Sequence, residues 1–231
     1  MATILKRVGS RPPKRKYSGI RLKDALPLIP AKDFTEWTLN IVPLAVSPVL
    51  SHNLVRLGSF DLVQSEAAKI TLIDTIFLEI VPNHPKLKVW KTELLETDTL
   101  TGFADYLIAP KQAYVETPLL CVTAAKRDDF EQGEAQCVAE MVACRWNNSK
   151  AGLEIPVYGI VSNGTGWYFY CLAIDKAIYK SGLFATNDLP ELLGAIDYIC
   201  GECAKNVRPG LFDGHTHAPA CERIGEDMPG L

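Results

Sequence analysis

A chain of 231 residues with 48% hydrophobic and 22% charged residues has the length to bury a core without disulfides or metal, and its composition is that of a folded globular protein. A net charge of −3 excludes any argument for polyanion binding from bulk charge. No uninterrupted apolar run approaches the ~20 residues of a membrane-spanning helix, and seven cysteines without a secretory signal point to a reducing, cytoplasmic setting with no membrane partner.

The chain opens on Lys6, Arg7, Arg11, Lys14, Arg15, Lys16, Arg21 and Lys23, with no acid among them and with Pro12-Pro13 in their midst. This reads as a flexible basic arm, suited to phosphate-backbone contact or to docking on a protein partner, or else as a solvated tail. Lys32 to Leu57 is broken by Pro43 and Pro48 and predicts an irregular lead-in with a short helix near Asp33 to Leu39. From Asp61 to Val81, Leu62, Ala67, Ile70, Ile73, Phe77 and Ile80 recur at helical spacing before Pro82, with Glu79 near the C-terminal end. Leu87 to Leu94 and Gly102 to Ala109, joined through Glu96-Thr97-Asp98-Thr99, predict an antiparallel hairpin with Asp105 on its second strand.

A loop around Pro110 to Pro118 leads into Leu119-Leu120-Cys121-Val122-Thr123-Ala124-Ala125-Lys126, a buried strand that stops at the charged Lys126-Arg127-Asp128-Asp129. Glu134 to Cys144 then reads as a helix with Gln136 and Glu140 on one face and Cys137, Met141 and Cys144 as an apolar stripe beside them. Val157 to Val161 and Trp167 to Ile174 flank Ser162-Asn163-Gly164-Thr165-Gly166 as a second hairpin. Asp188 to Asn206 predicts a last helix with Pro190 in its first turn. The expected organisation is a basic arm over 1–31, one domain over 32–208 and a Gly/Pro-rich tail over 209–231.

The succession of a strand-borne Asp105, a strand ending in Lys126 and a helix presenting Gln136 and Glu140 resembles the PD-(D/E)XK nuclease superfamily. The resemblance covers the central half of the chain. It implies an α/β fold of restriction-endonuclease type, a mixed central sheet flanked by helices, and a metal-dependent nuclease acting on DNA or RNA. By the same resemblance Asp105 is the principal ligand of Mg²⁺ or Mn²⁺, the main-chain carbonyl of Ala125 a further ligand, and Lys126 the group that orients the attacking water. Gln136 and Glu140 hold the water network, the lysine or the nucleic-acid backbone. Glu79, on the first core helix, is a further candidate metal residue, with Glu66 and Asp74 behind it. Members of the superfamily commonly act in host defence and often dimerise, which makes a homodimer an expected partner.

One position departs from the pattern: the Glu two residues before the lysine is Ala124. Positions 124 and 126 of a strand project to the same side, so a methyl group stands where a carboxylate would meet the metal, and weak or absent hydrolysis is expected. An active enzyme inactivated at this position and a pseudo-nuclease kept for binding are both compatible with it. The corresponding functions are an impaired nuclease and a non-catalytic nucleic-acid-binding or assembly subunit; a third is an unrelated α/β protein. Cys200, Cys203, His215, His217 and Cys221 offer a competing zinc site, although their spacings match no familiar template.

Overall fold

The computed structural model describes residues 13–125 and 130–207. In chain order the elements are β1 (Arg15–Lys16), α1 (Leu22–Ala25), β2 (Thr35–Trp37), α2 (Pro48–Leu57), α3 (Glu66–Ile80), β3 (Leu87–Glu96), β4 (Leu100–Pro110), β5 (Cys121–Ala125), α4 (Phe130–Lys150), β6 (Val157–Ser162), β7 (Gly166–Leu172), β8 (Ile178–Ser181), β9 (Phe184–Ala185) and α5 (Leu189–Lys205). The nine strands form one mixed sheet in the order β1-β4-β5-β6-β7-β8-β2, with β3 also paired to β4 and β9 to β7. The β3/β4 and β6/β7 hairpins are antiparallel, as is β4/β5. β5 and β6 are parallel, because α4 carries the chain back along the sheet between them. The chain is thus an α/β protein with a nine-stranded mixed sheet packed between helices.

Strand alternation sorts the core into two layers. Tyr158, Ile160, Trp167 and Phe169 pack with Ile73 and Phe77 of α3 and Ile196 of α5. On the other face Val122, Val157, Val161 and Tyr170 pack with Val138 and Met141 of α4. At Gly159 of β6 a Cβ would stand 2.5 Å from Cys137 Sγ and 2.8 Å from Met141 Sδ, so the missing side chain sets how closely α4 approaches the sheet.

The N-terminal residues depart from the expected arm. Tyr17 and Ile20 are buried in the α4-side core, Arg15 and Lys16 pair with Leu100 and Thr101, and Gln132 donates to the Ser18 and Ile20 carbonyls. Residues 13–31 therefore cover α4 instead of standing off the domain, and three of their basic side chains meet acids, Lys14 with Glu96 and Arg15 and Arg21 with Asp24. Residues 1–12 lie outside the described residues, as does the expected tail from 209.

Asp33 to Leu39 is no helix. Thr35–Trp37 extends parallel to β8, and Trp37 stacks on Tyr158, a tertiary pairing that outweighs local propensity. Pro48, a breaker in the sequence reading, occupies the first turn of α2, where its missing N–H costs nothing, and the Ser47 side chain accepts from Leu50 N–H. α3 starts later than the periodicity suggests, at Glu66, because Ser65 caps it by accepting from Ala68 N–H. α4 is longer than its apolar stripe suggests, Phe130–Lys150, and Gln132 in its first turn donates to carbonyls of residues 18 and 20.

Among the described residues, six cysteines are free of disulfides. Burial pushes the thiols of Cys121, Cys137 and Cys144 well above the ordinary range and that of Cys171 up to about 12. Native protein is therefore expected to leave these four unlabelled by iodoacetamide at pH 8, whereas urea exposes them; mass spectrometry of the alkylated protein reads the difference. Among the described residues, no helix is long and apolar enough to cross a membrane.

Candidate active site

A fault in the β3/β4 ladder sets the position of Asp105. Partner pairs run through Lys91↔Tyr106 and resume at Glu93↔Ala104, omitting Thr92 and Asp105. Tyr106 and Ile108 belong to the α3-side core, whereas Leu107 and Ala109 belong to the α4 side. Alternation carried back one residue turns Asp105 toward α4. Ala104 also lies in the α4-side core, so the facing switches at this point. Trp90 and Leu95 of β3, five residues apart, both contact that same core, and the switch is therefore shared by both strands.

Thr92 absorbs the distortion with φ 58°, a left-handed conformation that is unfavourable for a β-branched residue. Strain of this kind collects where a side chain must be re-aimed, and here it lies across the ladder from Asp105. Thr92→Gly is expected to stabilise the fold by ~1 kcal/mol, because relief of the left-handed strain exceeds glycine's added backbone entropy. Urea denaturation of the variant measures it.

One carboxylate oxygen of Asp105, Oδ2, accepts from Ala125 N–H at 2.9 Å. The β4/β5 register ends at Tyr106↔Thr123, and one further step sets Asp105 opposite Ala124. Ala124 is fully buried in the α4-side core, the face to which Asp105 turns. Asp105 and the end of β5 thus come together, with the 124 methyl beside the carboxylate. Lys126 lies outside the described residues.

Over this region α4 holds two polar side chains that are almost wholly buried, Gln136 at 3% and Glu140 at 0% exposure. Gln136 Nε2 donates to Glu140 Oε1 at 2.8 Å, a bond permitted by their i,i+4 spacing. Gln136 Oε1 is buried with no hydrogen-bond partner among the described residues. Burial, and next the charge of Glu140, raises both the Cys137 and Cys144 thiols, which lie three residues before and four after it on the helix. The helix face expected to be polar is thus polar by residue type and inaccessible by position.

Other candidates are engaged elsewhere. Glu79 accepts from the N–H and Oγ of Ser47, at 3.1 and 2.9 Å, so its place at a helix C-terminus is explained by anchoring the start of α2. Asp74 takes both Lys91 Nζ and the Tyr106 hydroxyl, tying α3 to the hairpin. Glu66 stands in the first turn of α3. Cys200 and Cys203 are fully buried in the α3-side core, a surrounding of apolar side chains, while His215, His217 and Cys221 lie outside the described residues.

Lys69 was not singled out by the sequence, where a lysine within an amphipathic helix reads as solvated. It is only 5% exposed, and its stem lies 3.5 Å from where a Cβ on Gly164 would stand. Gly164 follows Ser162, the β6 partner of Ala125. Lys69 therefore lies at the same end of the sheet as the end of β5.

The donor set is short of what a hard divalent cation takes. Asp105 offers one carboxylate, the Ala125 carbonyl stands at the end of β5, and position 124 offers no ligand. Among the described residues, no group of three or more His, Cys, Asp or Glu side chains is placed to hold a metal. As the chain stands, the described residues do not fit Mg²⁺ or Mn²⁺ as a tightly held ion. No family model, no curated protein and no solved structure matches the chain.

Proposed function

We propose that this chain has the restriction-endonuclease-like fold and carries the site of a metal-dependent nuclease for DNA or RNA, with phosphodiester hydrolysis impaired by Ala124. The observation that carries this reading is the Asp105 carboxylate, re-aimed by the strained Thr92 pair and held 2.9 Å from Ala125 N–H at the end of β5. An aspartate and a strand end brought together in this way are what the sequence resemblance requires. The buried Gln136–Glu140 pair on the following helix supports the same reading. Reduced cysteines suit a cytoplasmic setting, consistent with access to nucleic acid.

Within this site Asp105 is already oriented by a backbone donor, Ala125 N–H. A carboxylate at 124 would stand across the strand pair from it and raise the acidic ligands from one to two. Residues 105 and 124 would then hold a divalent cation, which would supply counter-charge and polarise a water. The test is Ala124→Glu, assayed on single- and double-stranded DNA and on RNA with Mg²⁺ or Mn²⁺. Restored, metal-dependent cleavage is expected; purified, folded variant that cuts none of these substrates with either ion contradicts the proposal. A non-catalytic nucleic-acid-binding or assembly subunit is the second reading, favoured by the complete burial of Ala124, which fits the α4-side core as an apolar residue. It predicts binding without cleavage in both proteins.

A further inference from the structure

A concavity lies at the β3 side of the sheet. It is a cavity of about 530 Å³ walled by β3 residues 93–96, the loop residues 113–117 and Asn147 of α4. Glu93, Glu96 and Glu116 line it, and no lysine or arginine does. Tyr114, 74% exposed, and Leu94, 57% exposed, add apolar surface. Lys14 pairs with Glu96, which leaves Glu93 and Glu116 without an ion-pair partner among the described residues; an acidic lining of this kind repels nucleic acid, so the groove is unsuited to the substrate of the proposed site and is assigned independently of it.

Two further features define what fits. Among the described residues β3 pairs with no strand but β4, and along the groove its Leu95 and Glu96 carbonyls accept from Tyr17 and Asn147 side chains, which leaves residues 93–94 as the open part of its outer edge. A strand edge of this kind accepts an extended peptide by backbone hydrogen bonding, with alternate side chains reaching into the groove. The charge of the occupant is indicated at the rim, where Lys14 Nζ stands 3.4 Å from Glu96 Oε2. Immediately before Lys14 come Arg11, Pro12 and Pro13. Two of these three lack both an N–H for pairing and a charge, which makes the chain's own preceding residues a poor strand for this edge.

We propose that the groove between β3 and the 113–117 loop docks an extended Lys/Arg-rich segment of a partner protein, its basic side chains meeting Glu93, Glu96 and Glu116. The proposal is independent of nuclease activity. It is tested with a fluorescein-labelled ten-residue peptide in which Lys and Arg alternate with Val and Thr, titrated by fluorescence anisotropy against the full chain. The expected result is saturable binding, weakened at least tenfold by Glu93→Gln with Glu116→Gln and unchanged by Glu36→Gln with Glu191→Gln. A peptide with Glu and Asp at the basic positions should not bind.

Absence of binding by the full chain overturns the proposal, as does equal weakening by both variant pairs, which would report bulk charge only. Binding that appears only after Lys6→Ser, Arg7→Ser and Arg11→Ser assigns the groove to the chain's own N-terminus instead. A dimer in sedimentation that Glu93→Gln with Glu116→Gln dissociates assigns it to a second copy.

Discussion

In EDTA, Ala124→Glu is expected to be ~2 kcal/mol less stable than the parent, and excess Mn²⁺ to return most of that loss. Position 124 is fully buried in the α4-side core, so the new carboxylate is desolvated, and it stands across the ladder from Asp105. Both effects favour the neutral acid in the folded protein, which raises the folded-state pKa of the introduced group. Its contribution is then retained below the unfolded carboxyl pKa and lost as pH rises through the folded one, so the deficit in EDTA should shrink on acidification. A cation that binds only the folded form adds about 2.7 kcal/mol at a hundred times its Kd. Urea denaturation with EDTA or Mn²⁺ measures each part, and a Mn²⁺ effect equal in parent and variant would mean that position 124 does not face a metal.

Gly194→Ala is expected to destabilise the fold by ~2 kcal/mol despite improving the intrinsic helix propensity of α5 by ~1 kcal/mol. A Cβ there would lie 2.5 Å from the Val42 carbonyl oxygen, 3.1 Å from Val42 C and 3.2 Å from Pro43 Cα. All three are backbone atoms, and Leu44 N–H donating to the Pro190 carbonyl holds that segment against α5. The nearest neighbour of a Cβ at Gly201, on the same helix, is His84 Cε1 at 3.9 Å, an ordinary contact. Gly201→Ala should therefore gain the propensity term alone. If the two alanine variants unfold at the same urea concentration, the close approach of residues 42–43 to α5 is wrong.

Long, strongly patterned elements were legible in the sequence. The α3 and α5 periodicities, both hairpins and the buried β5 run are dictated by apolar spacing and turn residues, and the structure places each within a few residues of its expected span. β1, β2, β8 and β9 were not legible, because two to four residues carry too little pattern and their pairing depends on distant partners. The N-terminal segment misled for a different reason. Its charges read as an arm, while Tyr17 and Ile20, two apolar residues among eight basic ones in the stretch, determine where it packs.

At the site, the order Asp105, Ala124, Gln136, Glu140 was legible, and the register of β4 on β5 brings the first two side by side. The burial of Gln136 and Glu140 was not, since it depends on residues 13–31 lying over α4. Nor was the strained Thr92, because nothing in its neighbours marks a left-handed conformation in mid-strand. The partner of Glu79, Ser47, was not legible either, being 32 residues away in sequence.

Mn²⁺ affinity, read by electron paramagnetic resonance, tests most directly whether residues 105 and 124 share one ligand position. Weak binding by the parent, one tightly bound ion in Ala124→Glu, and at least a tenfold loss of affinity when Asp105→Asn is added to that variant are expected. Tight binding that survives Asp105→Asn would contradict it.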